Sequence, residues 1–300
     1  MRFVALVVTT ALAVLVGLIV ALVCSMSILF EGDDDLADLF TPHNLYSFDA
    51  PAWSPDGTRL AFVSSKRDSL GLYVGTDICL MTADGSDPHP VYSYGVIPSP
   101  LEDPAWSPDG KTLAFATPPG IAVMNADGST PAGMAREVLV EGASPSWSPD
   151  GSRLAYASKG LIMLVNVDGG DARPLTDGAN PAWSPDGSLI AYEKQSAVWL
   201  AGLDGSEPRR LTVGSEPAWA PDGRRLAVVR RTGIDVEETY IVELDGQGEM
   251  RLTSGDSPAW SPVADRIALH RGTDILVVDS DGSHITALAR GSERCGRMSD

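Results

Sequence analysis

Five carboxylates stand just ahead of a phrase that recurs along the chain. Asp49, Glu102, Asp103, Glu216 and Asp256 each precede a Pro-x-Trp triplet by one or two residues. If those triplets gather about one axis, the oxygens gather with them at the mouth of a central channel. Carboxylate oxygens are what calcium or another hard cation takes as ligands; water and sodium are the plainer occupants. A second set is cationic. Lys194, Arg230 and Arg271 end equivalent segments of three successive repeats, with Arg231 adjacent, where the earlier repeats carry Ser64, Thr117 and Ser158. On an acidic chain such an arc could seat an anionic partner, although charged segment ends also serve only to meet solvent. Lys66, Arg67, Tyr92 and Tyr94 border the longest inter-repeat segments and join this second set.

Signatures of catalysis are missing. There is no Gly-x-Ser-x-Gly elbow and no His-Glu-x-x-His pair, and His43, His89, His270 and His284 lack metal-ligand spacing. Gly110-Lys111-Thr112 looks like the end of a phosphate loop, but Ala105 stands where its first glycine belongs. Asp279-Ser280-Asp281-Gly282-Ser283 is part of a calcium-loop string without the third acidic position or the distal Glu. The expectation is a non-enzyme without a cofactor, a channel cation excepted.

The elements that position these residues are repeats. Six copies of one phrase begin at Pro51, Pro104, Pro145, Pro181, Pro217 and Pro258, and carry Trp53, Trp106, Trp147, Trp183, Trp219 and Trp260. Their mean spacing of about 41 residues is the period of a four-stranded propeller blade. Within each unit, Ser-Pro-Asp-Gly makes a tight reversal. A strand such as Leu60-Ala-Phe-Val63 follows, then a third strand that runs into an Asp-Gly hairpin, and in most units an outer Arg-x-Leu-Thr or Arg-Leu-Thr strand. The 30 glycines and 22 prolines of the 300 residues largely spell these turns. Asp56, Asp109, Asp150, Asp186 and Asp222 are therefore expected to cap turns, and the six tryptophans to pack between blades.

The phrase Pro-Ala-Trp-Ser-Pro-Asp-Gly-x-x-Leu-Ala-Phe, the Asp-Gly hairpin and Arg-Leu-Thr together resemble the WD-like repeat of TolB-type β-propellers. The resemblance covers residues 43–291 and implies an all-β, six-bladed propeller of four-stranded antiparallel blades that serves as a protein-binding platform. The same repeat occurs in the propellers of prolyl-oligopeptidase-type peptidases and some polysaccharide lyases, so it implies a fold before a function. Two departures stand out. Residues 31–42 are too few for the α/β domain that precedes the propeller in TolB, which argues against a role in the Tol–Pal system. Blade six reads Ser261-Pro-Val-Ala-Asp265, without Asp-Gly, and its first turn is expected to be the weakest.

Ahead of the repeats, Phe3 to Phe30 carries no charge. That run is long enough to span a bilayer. Arg2 before it and Glu31, Asp33, Asp34 and Asp35 after it place the N-terminus inside and the remainder outside. A signal anchor at 1–30 fits the apolar length, and a signal peptide cleaved near Ser25-Met26-Ser27 is the alternative, giving a secreted protein. Val23 is too bulky for a lipoprotein site at Cys24. Residues 31–42 form an acidic linker and 292–300 an unpacked tail. A Cys79–Cys295 bridge suits an exported chain if geometry permits it. Leu45 stands as far before Pro51 as the outer-strand leucines stand before later prolines, so Leu45-Tyr46-Ser47 is expected to form a further outer strand that completes or flanks blade six and pins the ring. Ile285–Leu288 is expected to be another outer strand.

Net charge is −18. That balance argues against nucleic acid and against anionic membrane surfaces as partners. Alternation of strands puts the Ser-Pro-Asp-Gly and Asp-Gly turns on one face and the variable loops on the other. The expected function is a monomeric, membrane-anchored module that binds a protein or cell-envelope polymer through the variable face. A glycan- or small-ligand-binding propeller, lyase- or hydrolase-like and working at the channel mouth, is the alternative.

Overall fold

The computed structural model describes residues 46–67, 73–94, 101–129, 138–203, 206–234, 236–291 and 295–296. The leader, the acidic linker and Leu45 lie outside the described residues. Among the described residues no helix is long and apolar enough to cross a membrane.

Six four-stranded antiparallel sheets follow one another along the chain, each with its strands in sequential order. Blade one is β1 (Tyr46–Trp53), β2 (Arg59–Arg67), β3 (Tyr73–Thr82) and β4 (His89–Tyr94); blade two is β5 (Glu102–Trp106), β6 (Thr112–Thr117), β7 (Gly120–Asn125) and β8 (Val138–Val140). Blade three is β9 (Ala143–Trp147), β10 (Arg153–Ser158), β11 (Leu161–Asn166) and β12 (Arg173–Asp177); blade four is β13 (Ala179–Trp183), β14 (Leu189–Lys194), β15 (Ala197–Gly202) and β16 (Arg209–Val213). Blade five is β17 (Ser215–Trp219), β18 (Arg225–Gly233), β19 (Val236–Glu243) and β20 (Glu249–Ser254); blade six is β21 (Asp256–Trp260), β22 (Arg266–Arg271), β23 (Asp274–Asp279) and β24 (Thr286–Ala289). The expected six-bladed propeller is the fold.

Each blade is apolar on both faces because each face meets a neighbour. Successive side chains of a strand point to opposite sides. In β2, Leu60 and Phe62 join blade six, while Ala61 and Val63 join blade two. The repeated alanine has a specific partner. Ala61, Ala114, Ala155, Ala191, Ala227 and Ala268 are all fully buried. Each packs in one seam with the tryptophan of the following blade, from Ala61 with Trp106 round to Ala268 with Trp53. The repeat thus keeps a small residue in the seam that receives the next blade's indole. Trp106, Trp147 and Trp219 also donate their indole N–H to Ala52, Ala105 and Ala182 of the preceding blade, at 3.1, 3.1 and 3.0 Å.

The first turns close as their composition requires. Ser54, Ser107, Ser148 and Ser184 each donate to the aspartate two residues on at 2.6 Å, and each following glycine holds a positive φ between 67° and 73°. In blade five Ala220 replaces the serine, and Arg225 binds Asp222 instead. Arg225 also reaches Asp265 at 3.1 Å, bracing the altered turn of blade six from its neighbour.

Ring closure differs in one respect from the expectation. Tyr46 and Ser47 do not form an outer strand; they open β1, the inner strand of blade one. One difference lies three residues before the proline, where blades three to six carry glycine. Gly214 and Gly255 hold φ values of 141° and 134° at that position, and a Cβ on Gly255 would lie 2.5 Å from His270 O. Such glycines separate outer from inner strand. Blade one has Phe48 there instead, buried against blade six, and the chain runs straight on. The flanking role remains: Tyr46 N–H donates to Gly291 O at 3.3 Å and Phe48 N–H to Thr273 O at 3.2 Å. Blade six has its own outer strand, β24, where Ile285–Leu288 placed one. Cys295 is buried rather than loose in the tail, and it is bridged to Cys79 across the same seam, 216 residues away.

Candidate functional site

Inner strands run from the variable face toward the turn face, so residues ahead of each Pro-x-Trp lie at the variable-face mouth of the channel. At the position just before proline stand Ala50, Asp103, Ser144, Asn180, Glu216 and Ser257, all with φ between 48° and 52°. The ladder between inner and second strand shifts register here in every blade. A left-handed conformation costs a non-glycine residue about 1 kcal/mol. Repeated in all six blades, it aims these six side chains at the axis, where they line a cavity of about 480 Å³.

Polar groups there are hydrogen-bonded both between and within blades. Ser144 Oγ lies 2.9 Å from both Asp103 Oδ2 and Asn180 Oδ1, and Asn180 Nδ2 donates to Glu193 Oε2 at 3.0 Å. Ser257 donates its N–H to Glu216 Oε2 at 2.8 Å and its hydroxyl to Asp49 Oδ1 at 3.2 Å. Burial raises the Glu216 carboxyl to about 7, against the Ser257 hydrogen bond and helped by Asp256, Glu237 and Asp103. Asp103 is raised by burial and by Asp49, with the Ser144 bond opposing. Glu102 is raised by burial, then by Asp103 and Asp49.

Asp256 sits beside an imidazole. His270 Nδ1 lies 2.8 Å from Asp256 Oδ1 and 3.6 Å from Asp49 Oδ1, and its Nε2 lies 2.9 Å from Gly272 O. Burial disfavours charge on His270, yet Asp256 and Asp49 carry it up to about 9; burial of Asp256 is likewise outweighed by His270, and its carboxyl is lowered. The five predicted carboxylates thus occupy two successive positions of the repeat at one mouth. Spacing did not reveal their partners Ser144, Asn180, Glu193, Ser257 and His270. The one available signal was the register of the phrase, since Ser144, Asn180 and Ser257 hold the place that Asp103 and Glu216 hold.

The cationic set lies on the same face, largely matched by carboxylates. Lys194 pairs with Asp177 at 2.9 Å and lies over Trp199. Arg230 pairs with Glu249 at 2.8 Å, donates to Thr212 and Val213, and lies over Tyr240. Arg231 pairs with Glu237 at 2.8 Å. Arg271 and Lys66 are exposed, and Arg67 stacks over Tyr73. Tyr92 packs on Phe115, and it and Tyr94 lie half-buried in the seam between blades one and two. Of the earlier hydroxyls in this series, Ser64 and Thr117 are buried. Two hairpins rise above the rest: β2 and β3 have 9 and 10 residues and β18 and β19 have 9 and 8, against 6 for β6 and β7. Ile234, at the end of the blade-five hairpin, is 92% exposed.

A family model for the TolB beta propeller domain matches residues 95–263. Among solved structures, TolB from Acinetobacter baumannii aligns with a TM-score of 0.63 and 21% identity, over 76% of this chain and 63% of that one. A TolB from Agrobacterium tumefaciens aligns with a TM-score of 0.57 and 23% identity, over 68% and 86%. An oligogalacturonate lyase from Vibrio parahaemolyticus gives a TM-score of 0.50 at 14% identity, over 84% and 80%. At these identities the structural likenesses speak for the fold. The chain spans less than two thirds of the Acinetobacter protein's length. No curated protein matches the chain.

Proposed function

The chain belongs to the TolB beta propeller domain family, and from that premise we propose that it is a membrane-anchored, extracytoplasmic docking module. It works as a monomer without catalysing a reaction, and it binds a protein or cell-envelope polymer through the variable face. The asymmetry of the two faces carries this reading. One face repeats a turn whose polar groups are satisfied within four to six residues. The other collects the channel mouth and both long hairpins, one of them ending in Ile234 at 92% exposure; exposed apolar side chains occur on the turn face too, Val263 among them at 66%. Such hairpins on a rigid scaffold are what a partner would cover. TolB-like propellers bind proteins, which fits a protein partner. The Cys79–Cys295 bridge suits an oxidising compartment, and the uncharged run from Phe3 to Phe30 suits a membrane anchor.

Photo-crosslinking in intact cells that express the full chain tests this reading. A crosslinker at position 234 or 66 should give a discrete adduct, and one at Asp168 on the turn face should give none. Adducts from position 168 alone, or equal adducts from all three, would overturn it. Resistance of the propeller to protease added outside the cell membrane would remove the assigned side.

A further inference from the structure

The sibling blades show what folding itself demands where the inner and second strands pair beside the channel. The second-strand residue there is Val63, Ala116, Ala157, Glu193, Val229 or His270. Four of the six are apolar, so neither charge nor imidazole is required at that place. In blade six, however, His270 faces Asp256 of its own inner strand and Asp49 of blade one.

The geometry around the imidazole bears on the chemistry. A carbonyl oxygen only accepts, so Nε2, at 2.9 Å from Gly272 O, carries a hydrogen whether the ring is neutral or charged. Nδ1 is left facing two carboxylate oxygens, and one nitrogen and two oxygens lie within 4.8 Å of one another. Without metal, a proton on Nδ1 holds this trio as an ion pair with Asp256; a divalent ion would take the place of that one proton, as metal binding to histidine releases protons. Bonds of about 2.0–2.2 Å to one ion set neighbouring ligand atoms roughly 2.9–3.5 Å apart in octahedral or tetrahedral arrangements. The distances from Nδ1, 2.8 and 3.6 Å, bracket that range. A backbone carbonyl on the far ring nitrogen is also the outer contact that metal-bound histidines carry, because it fixes the tautomer and the ring plane. Imidazole with carboxylates suits first-row transition metals better than calcium, whose ligands are all oxygen. The Asp49, Asp256 and His270 side chains are 51%, 20% and 16% exposed, leaving room for solvent in the remaining positions.

We propose that Asp49, Asp256 and His270 bind a divalent first-row transition-metal ion at the mouth of the channel, across the seam where blade six meets blade one. Glu102, Asp103 and Glu216 are not among the ligands. This site stands apart from the docking reading and does not depend on it. Because it joins the first and last blades, the ion also clips the ring shut and stabilises the folded chain.

The test uses the full chain in detergent, purified without a polyhistidine tag and stripped with EDTA, then titrated with ZnCl2 by calorimetry and with CoCl2 by visible absorption. One saturable equivalent is expected for each, with a cobalt spectrum that reports nitrogen ligation and a zinc-dependent rise in melting temperature. His270→Gln and Asp256→Asn should each weaken binding at least tenfold. Asp49→Asn, at the most exposed of the three positions, should do so with the fold intact by circular dichroism, and Asp103→Asn should leave binding unchanged. Absence of saturable zinc or cobalt binding by the unaltered chain would overturn the proposal. So would affinity indifferent to Asp49→Asn, or a calcium-only site lost on Asp103→Asn.

Discussion

Asp56 and Asp150 on the turn face and Glu102, Asp103 and Glu216 at the channel mouth are shifted in opposite directions. On the turn face, Asp56 and Asp150 are held down to about 2, chiefly by the serine hydroxyl two residues before each, with further hydrogen bonds from the residue two positions after. At the mouth, Glu216 is raised to about 7 by burial, with other carboxylates close by. The turn-face groups have donors supplied by their own tetrapeptide, and each blade meets its needs alone. The mouth groups are pressed together from different blades, by a backbone bulge that is itself costly. Folding explains the first arrangement and does not call for the second, which is the ground for the recognition proposed at the mouth.

The largest expected effect asks whether the seams, rather than either face, hold the ring. Trp219 is buried between blades four and five, against Ala191, and its indole N–H reaches Ala182 O. Trp219→Ala should destabilise the fold by about 3–5 kcal/mol in denaturant titrations. A loss under about 1 kcal/mol would mean that the faces contribute more than the packing between them.

Glu216 sharpens the contrast through pH. Its carboxyl is raised in the folded state, so the folded chain keeps a proton that the unfolded chain has already lost. Its contribution to stability therefore falls as pH rises from about 4.5 to about 7, and the full cost persists above that window. Glu216→Gln keeps an acceptor for the Ser257 N–H and removes the charge. Unfolding measured at pH 8 should show a gain of at most about 3 kcal/mol, shrinking toward zero near pH 4.5. A gain of equal size at both pH values would show that charge is not the cause.

Turn-face substitutions should be smaller and local. Ser184→Ala removes the hydroxyl that donates to Asp186 and accepts from the Leu189 N–H, and should cost about 1 kcal/mol by thermal unfolding. Blade five offers the reverse change. Ala220→Ser should restore the missing hydroxyl beside Asp222 and stabilise by about 0.5 kcal/mol. If that variant is destabilised, the arginine bracing from Arg225 to Asp222 is incompatible with the serine of the other blades.

Legibility followed the distance between partners along the chain. Ser54 and Asp56 are two residues apart, so the turn caps could be read from the phrase. The alanine of the second strand could be seen to recur, but the tryptophan that shares its seam lies on the next blade. Asp103 and Glu216 could be placed at a mouth; the contacts from Ser144 to Asn180 and from Ser257 to Asp49 span 36 and 208 residues. Leu45-Tyr46-Ser47 shows the opposite hazard. Its spacing matched the outer strands, yet Tyr46 and Ser47 open the inner strand β1, and Phe48 stands where blades three to six have glycine.

From the sequence alone come the six blades, the turn face and the family resemblance, because periodicity and turn chemistry are local and repeat. The tertiary structure decided the rest: which residues share the mouth, that Cys295 returns to Cys79, that Arg230 and Lys194 are already paired, and that His270 faces two carboxylates. A ring brings residues from different blades to one axis, and the side chains that converge there carry no mark of it in their own segments.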